Sequence, residues 1–347
     1  MKSMETPTTM RASVLVRAGE LTVETRPVPA PEADQVIVQV TAVGICGSDV
    51  HYFHEGRIGD FIVEAPLVLG HEAGGVIIAV GDEVDAARLG ERVSIEPQRP
   101  CRRCEYCRSG RYNLCPQIEF YATPPINGAF AEYVAIQQDF AHRVPASVSD
   151  EAAALMEPLS VAIAAIQKAG VRPGDRVLIT GAGPIGIVTA QTARAFGATE
   201  VVISDPMAER REVALRFGAT QAIDPAAESL GSGYDAFIDA SGSPVAVKQG
   251  ISALRSGAVA VLVGMGADEI ALPVSTIQNR ELVITGIFRY ANTWPTAIAL
   301  AASGAVDLDA LVTGSFGLDE VREALDSASH PSTLKSIVRP DRDSVER

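Results

Sequence analysis

The chain has 347 residues, which is long for a single hydrophobic core and predicts two domains. Hydrophobic residues make up 47% of it and charged residues 21%, as in a globular protein rather than a disordered one. The formal net charge of −14 argues against nucleic acid and anionic membranes as partners, because both are bound by clustered lysines and arginines. The first ten residues lack an apolar stretch, so no signal peptide is predicted and a cytoplasmic location is expected.

The first part of the chain predicts an irregular β-rich domain. Apolar and polar residues alternate between residues 11 and 45, which is typical of strands with one buried face. Further strands are predicted at 73–81, 91–95 and 129–136. A loop that contains four cysteines lies between two of these strands, so this domain is expected to carry long loops.

The second part predicts strands and helices in alternation. Ser149 can cap an alanine-rich helix that runs to about Gly170. Short apolar strands follow at 176–180, 201–205, 222–224, 235–241, 258–264 and 282–288. Because helices separate these six strands, we expect an α/β fold with a parallel sheet covered on both faces.

The last part of the chain predicts two helices, at 294–303 and 319–328, and a short strand at 336–340. This segment is too small to form a core of its own, so it is expected to return to the first domain. The expected organisation is therefore one domain made of residues 1–160 and 291–347, and a second made of residues 161–290.

GAGPIG at 181–186 matches the G-x-G-x-x-G pattern of dinucleotide-binding loops. Alone it also describes an ordinary turn, but here it follows a predicted buried strand and opens a helix. Gly181 allows the tight turn, Gly183 lets the backbone approach a pyrophosphate, and Gly186 lets the helix pack against the strand. Pro184 and Ile185 begin the helix, whose free N–H groups would face the phosphates. The loop predicts a bound dinucleotide.

Asp205 ends the next predicted strand and is the residue expected to bind the adenine ribose. A carboxylate there accepts hydrogen bonds from both ribose hydroxyls and repels a 2′-phosphate, which predicts NAD rather than NADP. Asp205 can also cap the following helix. Arg210 and Arg211 lie one turn further on and can weaken the discrimination between the two coenzymes.

Four cysteines with the spacing C-x2-C-x2-C-x7-C predict a structural zinc site, formed by Cys101, Cys104, Cys107 and Cys115. Four thiolates close a tetrahedral zinc site and leave no open position for catalysis. The alternative is a reduced cysteine loop that binds no metal. Nearby arginines are expected to offset the thiolate charge and to lower the thiol pKa values, namely Arg99, Arg102, Arg103, Arg108 and Arg111.

Cys46, His71 and Glu72 form a second group of potential metal ligands, which has too few thiols for a closed site. An adjacent His and Glu can both ligate only from a turn, and Gly70 with the residues at 73–75 permits one. The alternative is that Cys46 is a small core residue and His71 is satisfied locally.

Several stretches make the chain resemble a known family. GICGSDVH at 44–51, GHEAGGVI at 70–77 and the four-cysteine loop resemble the zinc-containing alcohol dehydrogenases of the medium-chain dehydrogenase/reductase superfamily, over residues 11–340. Other stretches resemble the polyol group of that family, the sorbitol and xylitol dehydrogenases: SDVHYF (48–53), GRIGDF (56–61), GRYNLC (110–115), ATPPINGAF (122–130), EPLSV (157–161) and FRYANTWP (288–295).

The resemblance implies a GroES-like catalytic domain, a Rossmann-type coenzyme domain with a six-stranded parallel sheet, and a catalytic zinc held by Cys46 and His71. In the polyol group it implies Glu72 as the third ligand, with Glu157 holding a zinc-bound water or exchanging with Glu72. The sequence leaves open which of the two carboxylates ligates. Asp49 is expected to orient His71 by a hydrogen bond.

The resemblance also implies an activity, the oxidation of a polyol such as sorbitol or xylitol to the ketose with hydride transfer to NAD. Ser48 would bind the substrate hydroxyl and begin a proton relay that His51 ends at solvent. Arg289 and Tyr290 would bind the other hydroxyls, or alternatively serve in packing. Weaker pocket candidates are Tyr52, Phe120 and Thr123. The alternative function is a sibling zinc- and NAD-dependent dehydrogenase that acts on threonine or on a simple diol or secondary alcohol, and the family implies a homotetramer.

Overall fold

The computed structural model describes residues 7–341. Of the ten N-terminal residues from which no signal peptide is predicted, residues 1–6 lie outside the described residues. No helix in the described range is long and apolar enough to cross a membrane.

The chain divides into two compact units. The first contains residues up to Glu157 and those from Leu308 onward, and the second is Pro158–Asp307. The sequence placed the boundaries after residues 160 and 290, so the second boundary differs from the observed division. The helix Trp294–Ala302 belongs to the second unit, where Trp294 is buried with its ring 5.1 Å from that of Tyr290.

Strands and helices are numbered here in chain order. Up to residue 155 they are β1 Thr9–Arg17, β2 Glu20–Pro27, β3 Gln35–Gly44, α1 Gly47–Glu55, β4 Arg57–Ile58, β5 Phe61–Ile62, β6 Leu67–Val68, β7 Glu72–Val80, β8 Arg92–Ile95, β9 Gln98–Arg99, α2 Glu105–Arg108, β10 Glu119–Phe120, β11 Tyr133–Gln137, β12 Ala141–Arg143 and α3 Asp150–Ala154.

The next elements are α4 Met156–Ala169, β13 Arg176–Thr180, α5 Pro184–Ala195, β14 Glu200–Ser204, α6 Ala208–Arg216, β15 Gln221–Ile223, β16 Tyr234–Asp239, α7 Pro244–Ala253, β17 Leu254–Leu262, α8 Val274–Asn279, β18 Val283–Gly286 and α9 Trp294–Ala302. The last are β19 Val312–Gly317, α10 Val321–Ser327 and β20 Lys335–Arg339. Short 3-10 turns lie at Ala86–Arg88, Tyr112–Leu114, Gln138–Phe140, Asp309–Leu311 and Leu318–Glu320.

The largest sheet of the first unit, within residues 7–341, has the strand order β12-β8-β7-β3-β20-β19, and β11 also pairs with β3. Strand β3 is buried along most of its length because other strands flank it and the unit's core covers it. Gly44, its last residue, pairs with Glu72 of β7 on one side and with Ile337 of β20 on the other. The C-terminal strand therefore joins the sheet of the first unit beside residues 44 and 72.

The second unit is built on a six-stranded sheet of the order β15-β14-β13-β16-β17-β18, and every pairing in it is parallel. The α/β prediction is confirmed. The strand order reverses between β13 and β16, and ligands of such sheets bind at the carboxyl ends of the strands beside this reversal. The glycine loop lies there, between β13 and α5.

The predicted helix from Ser149 to about Gly170 is observed as two helices, α3 and α4. The Ser149 hydroxyl caps α3 by accepting a 2.9 Å hydrogen bond from the N–H of Ala152. The chain leaves α3 at Leu155, and α4 begins at Met156, so Glu157 lies in the first turn of the second helix. This break places Glu157 at a helix start instead of inside a continuous helix.

Candidate active site and metal centres

The four cysteine thiols of the loop lie within 4.8 Å of one another. The Sγ atoms of Cys104 and Cys107 are 3.4 Å apart, and those of Cys101 and Cys107 are 3.9 Å apart. A tetrahedral zinc with Zn–S bonds of about 2.3 Å requires sulfur atoms roughly 3.8 Å apart. The donor set and its spacing therefore fit one zinc ion.

Backbone N–H groups stabilise the thiolates of this loop. The N–H groups of Arg103 and Cys104 lower the pKa of the Cys101 thiol to about 6, whereas burial and the neighbouring thiols raise the pKa of Cys107. The sequence assigned charge compensation to the surrounding arginines. Of these arginines, Arg102 forms ion pairs with two aspartates of the same unit, Asp34 at 2.9 Å and Asp139.

The second ligand group forms where two segments of the first unit meet. Cys46 is the N-cap residue of α1, two residues after the end of β3, and Glu72 is the first residue of β7. Gly70 has a φ of +87°, and a side chain there would lie 2.7 Å from the ring of Phe130, so a glycine is required before His71. The Cys46 sulfur, a His71 ring nitrogen and a Glu72 carboxylate oxygen lie within 4.8 Å of one another. The adjacent His71 and Glu72 side chains are thus both directed toward the Cys46 sulfur, as a shared metal ion would require.

Asp49 connects the two segments that carry these residues. Its Oδ2 accepts a 3.0 Å hydrogen bond from the N–H of Cys46, and its Oδ1 accepts one of 2.9 Å from the N–H of Gly70. The predicted direct hydrogen bond from His71 is not observed, because Nδ1 of His71 is 3.8 Å from Oδ1 of Asp49. Burial lowers the pKa of His71, but the Cys46 thiolate and Asp49 outweigh burial and raise it well above its usual value.

Glu72 has a partner that sequence reasoning missed. Nζ of Lys335 lies 2.5 Å and 2.6 Å from the two Glu72 carboxylate oxygens, and both side chains are buried. Burial raises the pKa of Glu72, Lys335 opposes this, and Glu157 adds to it. The sequence offered one sign of this pair, a lysine within the mostly apolar segment LKSIV at 334–338. Its partner lies 263 residues away along the chain, so the pairing itself was not predictable from a local pattern.

Glu157 is buried, with 6% of its surface exposed. It lies close enough to act electrostatically on both Glu72 and Lys335, and it raises the pKa of each of them. It does not belong to the 4.8 Å group of ligand atoms found among the described residues. The geometry therefore brings Glu72 to the Cys46 and His71 side chains and leaves Glu157 farther away.

Ser48 and His51 lie three residues apart on α1 and so share one face of that helix. Ser48 is half-buried, and His51 is exposed with its Nδ1 3.0 Å from a carboxylate oxygen of Glu55. The arrangement leads from a half-buried hydroxyl toward solvent. The other three histidines are paired or exposed: His142 bonds Glu96 at 2.9 Å, and His54 and His330 lie at the surface.

Arg289 and Tyr290 lie in the second unit, between β18 and α9. Arg289 has a φ of +54°, and its guanidinium lies 4.7 Å from the centre of the Phe288 ring. Tyr290 is buried beside Trp294. Of the weaker pocket candidates in the first unit, Phe120 has its ring centre 5.6 Å from that of His71, while Tyr52 is buried and Thr123 half-buried.

A cavity of about 650 Å³ lies at the carboxyl ends of β13, β14 and β16 in the second unit. Gly181, Gly183, Pro184, Asp205 and Arg210 line it. The wall does not include Ile185 or Gly186. The Cα hydrogen of Gly186 instead faces the loop, because a side chain at this position would lie 1.8 Å from the carbonyl oxygen of Gly181.

The two arginines after Asp205 have different surroundings. Arg211 donates hydrogen bonds of 2.8 Å to the carbonyl oxygens of Asp205 and Pro206 and pairs with Asp224 at 3.3 Å. Arg210 lines the cavity, and its buried Nη1 has no hydrogen-bond partner among the described residues. Burial lowers the pKa of Arg210, and Asp205 opposes this. Arg210 is therefore the arginine of the pair that is available to a ligand.

Comparison with known proteins agrees with this arrangement. The alcohol dehydrogenase GroES-like domain matches residues 32–146, and the zinc-binding dehydrogenase domain matches residues 184–303. The chain is 42% identical to sorbitol dehydrogenase of Bacillus subtilis, over 97% of this chain and 99% of that protein. It is 40% identical to a probable D-xylulose reductase A of Aspergillus clavatus, over 95% of this chain and 96% of that protein.

A solved structure of an Escherichia coli alcohol dehydrogenase in complex with NADH superposes with a TM-score of 0.90, at 29% identity over 96% of this chain and all of that one. The chain belongs to the zinc-binding dehydrogenases of the medium-chain alcohol dehydrogenase superfamily. It has the four-cysteine structural site of this family and a Cys/His/Glu candidate for the catalytic metal site.

Proposed function

We propose that this dehydrogenase oxidises a polyol, such as sorbitol or xylitol, to the ketose and transfers the hydride to NAD. The observation that carries the proposal is the group of Cys46, His71 and Glu72, in which His71 and Glu72 are buried, in a chain whose full-length relatives include a sorbitol dehydrogenase and a probable D-xylulose reductase. One thiolate, one imidazole and one carboxylate are a donor set of the kind found in catalytic zinc sites that retain an open position.

In this proposal Cys46, His71 and Glu72 hold the catalytic zinc, and Glu157 holds a water or exchanges with Glu72. Bound zinc supplies Lewis-acid polarisation of the substrate hydroxyl. Asp49 fixes the spacing of the ligand-bearing segments through its two backbone hydrogen bonds. The protein's own contribution is thus to position the donors and to keep the site buried.

Ser48 accepts the proton of the substrate hydroxyl in this proposal, and His51 passes a proton to solvent. Their positions on one face of α1 and the exposure of His51 support this direction of transfer. Arg289 and Tyr290 serve as hydrogen-bonding groups for the other hydroxyls of the polyol. Such groups are needed because hydroxyls that leave water unpaired cost free energy.

For the coenzyme we propose NAD in the cavity of the second unit. The Gly181–Gly186 turn would hold the pyrophosphate and Asp205 the adenine ribose, with Arg210 beside it. The bound NADH of the Escherichia coli structure at 0.90 TM-score supports a nicotinamide coenzyme. Asp205 favours the form of the coenzyme that carries no 2′-phosphate.

We also propose that the protein is a homotetramer of the reducing cytoplasm. β18 forms the edge of the parallel sheet, and Val283 on it is 53% exposed, while Phe288, two residues after the strand, is also exposed. An apolar sheet edge is a natural place for a second copy to pair. The five cysteines are free thiols, which suits a reducing compartment. Light scattering coupled to gel filtration measures the assembly.

The alternative function is oxidation of threonine, a simple diol or another secondary alcohol by the same site. To separate them, NAD reduction is followed by absorbance across a panel of polyols, threonine, butanediol and simple secondary alcohols, with and without a chelator. The proposal expects the highest kcat/KM with a polyol and loss of that activity with the chelator. A higher kcat/KM with threonine or butanediol would replace it by the alternative.

A further inference from the structure

Lys335 is the lysine or arginine buried most deeply among residues 7–341, with 3% of its surface exposed. A buried ammonium is costly unless it is paired and its three N–H groups are bonded. Its acceptors are the two Glu72 oxygens at 2.5 and 2.6 Å and the carbonyl oxygen of Ile45 at 2.9 Å. Lys335 therefore connects Glu72 to the residue that precedes Cys46.

The sheet provides a reserved space for this contact. Gly44 pairs with Glu72 on one side and Ile337 on the other, which brings the start of β20 beside the start of β7. A side chain on Gly44 would lie 2.1 Å from Oε2 of Glu72. Gly44 thus leaves room for the Glu72 carboxylate, and the strand register places the Lys335 ammonium beside that carboxylate.

We infer that Lys335 is a positioning residue that shares Glu72 with the metal. This inference rests on the proposed metal site. Both oxygens of Glu72 contact the ammonium, while one of them lies within 4.8 Å of the Cys46 and His71 donor atoms. Lys335 and the metal therefore compete for one carboxylate. The ammonium holds Glu72 in place when no metal is bound, and it weakens the bond from Glu72 to the metal when one is bound.

Charge supports the same conclusion. Cys46 and Glu72 bring two acidic side chains to one place, and the Lys335 ammonium supplies the positive charge that contacts Glu72. Without Lys335, a divalent cation would be held by a more negative set of donors. The ammonium therefore keeps the third ligand exchangeable instead of locked onto the metal.

The experiment compares the unmodified protein with Lys335→Met, Lys335→Arg and the exposed control Lys248→Met. Zinc release to a chromophoric chelator and the melting temperatures of the zinc-loaded and zinc-free proteins are measured. Lys335→Met should release its catalytic zinc about tenfold more slowly, the size of effect typical of groups that contact metal ligands. Its zinc-free form should lose more thermal stability than its loaded form.

The four-cysteine zinc is an internal reference whose release should not change. Lys335→Arg keeps the charge and should release zinc at nearly the original rate, as should Lys248→Met. Equal or faster release from Lys335→Met, or equal slowing in Lys335→Arg, overturns the inference. Because release needs no substrate, a wrong polyol assignment leaves this result intact.

Lys335→Met can fail to fold, since it leaves buried carboxylates without their cation. The double variant Glu72→Gln with Lys335→Met removes both charges and should fold better than Lys335→Met. If Lys335→Met does not fold, folding of the double variant supports the pairing of Lys335 with Glu72, and failure of the double variant to fold overturns the inference. If Lys335→Met folds, it completes a double-mutant cycle with the double variant and Glu72→Gln on the melting temperature of the zinc-free protein. Strongly non-additive effects support the shared carboxylate, and additive effects overturn it.

Discussion

Asp205 accepts a 2.8 Å hydrogen bond on Oδ2 from the backbone N–H of Ala182, which joins the end of β14 to the glycine loop. Its other oxygen accepts a 2.8 Å bond from the N–H of Met207. The carboxylate is thus fixed on the cavity wall by bonds from both sides. Asp205 stabilises the local backbone and also lines the cavity. The effect of substituting it must therefore be measured on both protein stability and coenzyme binding.

Asp205→Ala should lower the ratio of kcat/KM for NAD to that for NADP by about tenfold to a hundredfold, the value of hydrogen bonds to a charged group. The 2′-phosphate of NADP would no longer meet a carboxylate. Asp205→Asn is the matched control, because it retains an acceptor for Ala182 and loses the charge. The ratio is measured with both coenzymes at one polyol concentration, and an unchanged ratio would refute the ribose role of Asp205.

Arg210 and Arg211 should respond differently in the Asp205→Ala background. Arg210→Ala should remove the gained activity with NADP, since Arg210 is the arginine on the cavity wall. Arg211→Ala should instead lower stability, since Arg211 is bonded to Asp205, Pro206 and Asp224. Kinetics with NADP and melting temperatures separate the two effects, and a similar loss of NADP activity in both variants would contradict the assignment.

Two glycines of the same loop allow a second comparison. Gly183 has an ordinary φ of −72°, and a methyl group on it meets nothing within 4 Å, so Gly183→Ala should change the free energy of unfolding by less than about 0.5 kcal/mol. It should nevertheless weaken NADH binding, since the methyl group would occupy the space of the pyrophosphate. NADH fluorescence titration measures the affinity, and unchanged affinity would exclude this loop as the phosphate site.

Gly186→Ala should show the opposite pattern. Its methyl group would lie 1.8 Å from the carbonyl oxygen of Gly181, so the loop or the helix has to move. We expect a loss of about 1–3 kcal/mol in the free energy of unfolding, typical of an overpacked interior. Chemical denaturation without coenzyme measures it, and a stability equal to that of Gly183→Ala would contradict the packing role.

Cys46→Ala should abolish turnover while leaving NADH affinity nearly unchanged, because Cys46 belongs to the first unit and the coenzyme cavity to the second. Metal analysis should show one zinc per chain instead of the two that the two ligand groups predict. Retained polyol oxidation would overturn the assignment of Cys46 as a metal ligand.

Cys104→Ala should remove the other zinc and lower the melting temperature. Cys104 Sγ also accepts a hydrogen bond from the N–H of Cys107 as the N-cap of α2. Cys104→Ser is therefore the control, because a hydroxyl can cap the helix but is a poor zinc ligand. Equal destabilisation of both variants assigns the stability to the metal, whereas two zincs per chain in Cys104→Ala would contradict the loop assignment.

Local patterns in the sequence predicted much of the fold. The six strands of the coenzyme sheet were found within a few residues because each is a short apolar segment between helices, and a buried parallel strand needs such a segment. The break between α3 and α4 was missed, since apolar residues continue through it and Pro158, which is tolerated in the first turn of a helix, was not read as the sign of a new start. The boundary after residue 290 also differed from the observed division, because α9 belongs to the second unit through contacts such as that of Trp294 with Tyr290, which local composition does not reveal.

The sequence by itself determined the family, the class of fold and the four cysteines of the structural site, because the glycine loop and the four cysteines are local and their spacing encodes their geometry. For the second ligand group it gave Cys46 and His71 and left Glu72 and Glu157 open as the third ligand. Only the tertiary structure decided which groups surround them. It placed Lys335 in contact with Glu72, and it directed the Asp49 carboxylate to two backbone N–H groups. It also showed that Arg211 is hydrogen-bonded to the backbone, whereas Arg210 lines the cavity. The reason is that these contacts depend on strand register and helix position, and Lys335 and Glu72 are 263 residues apart along the chain.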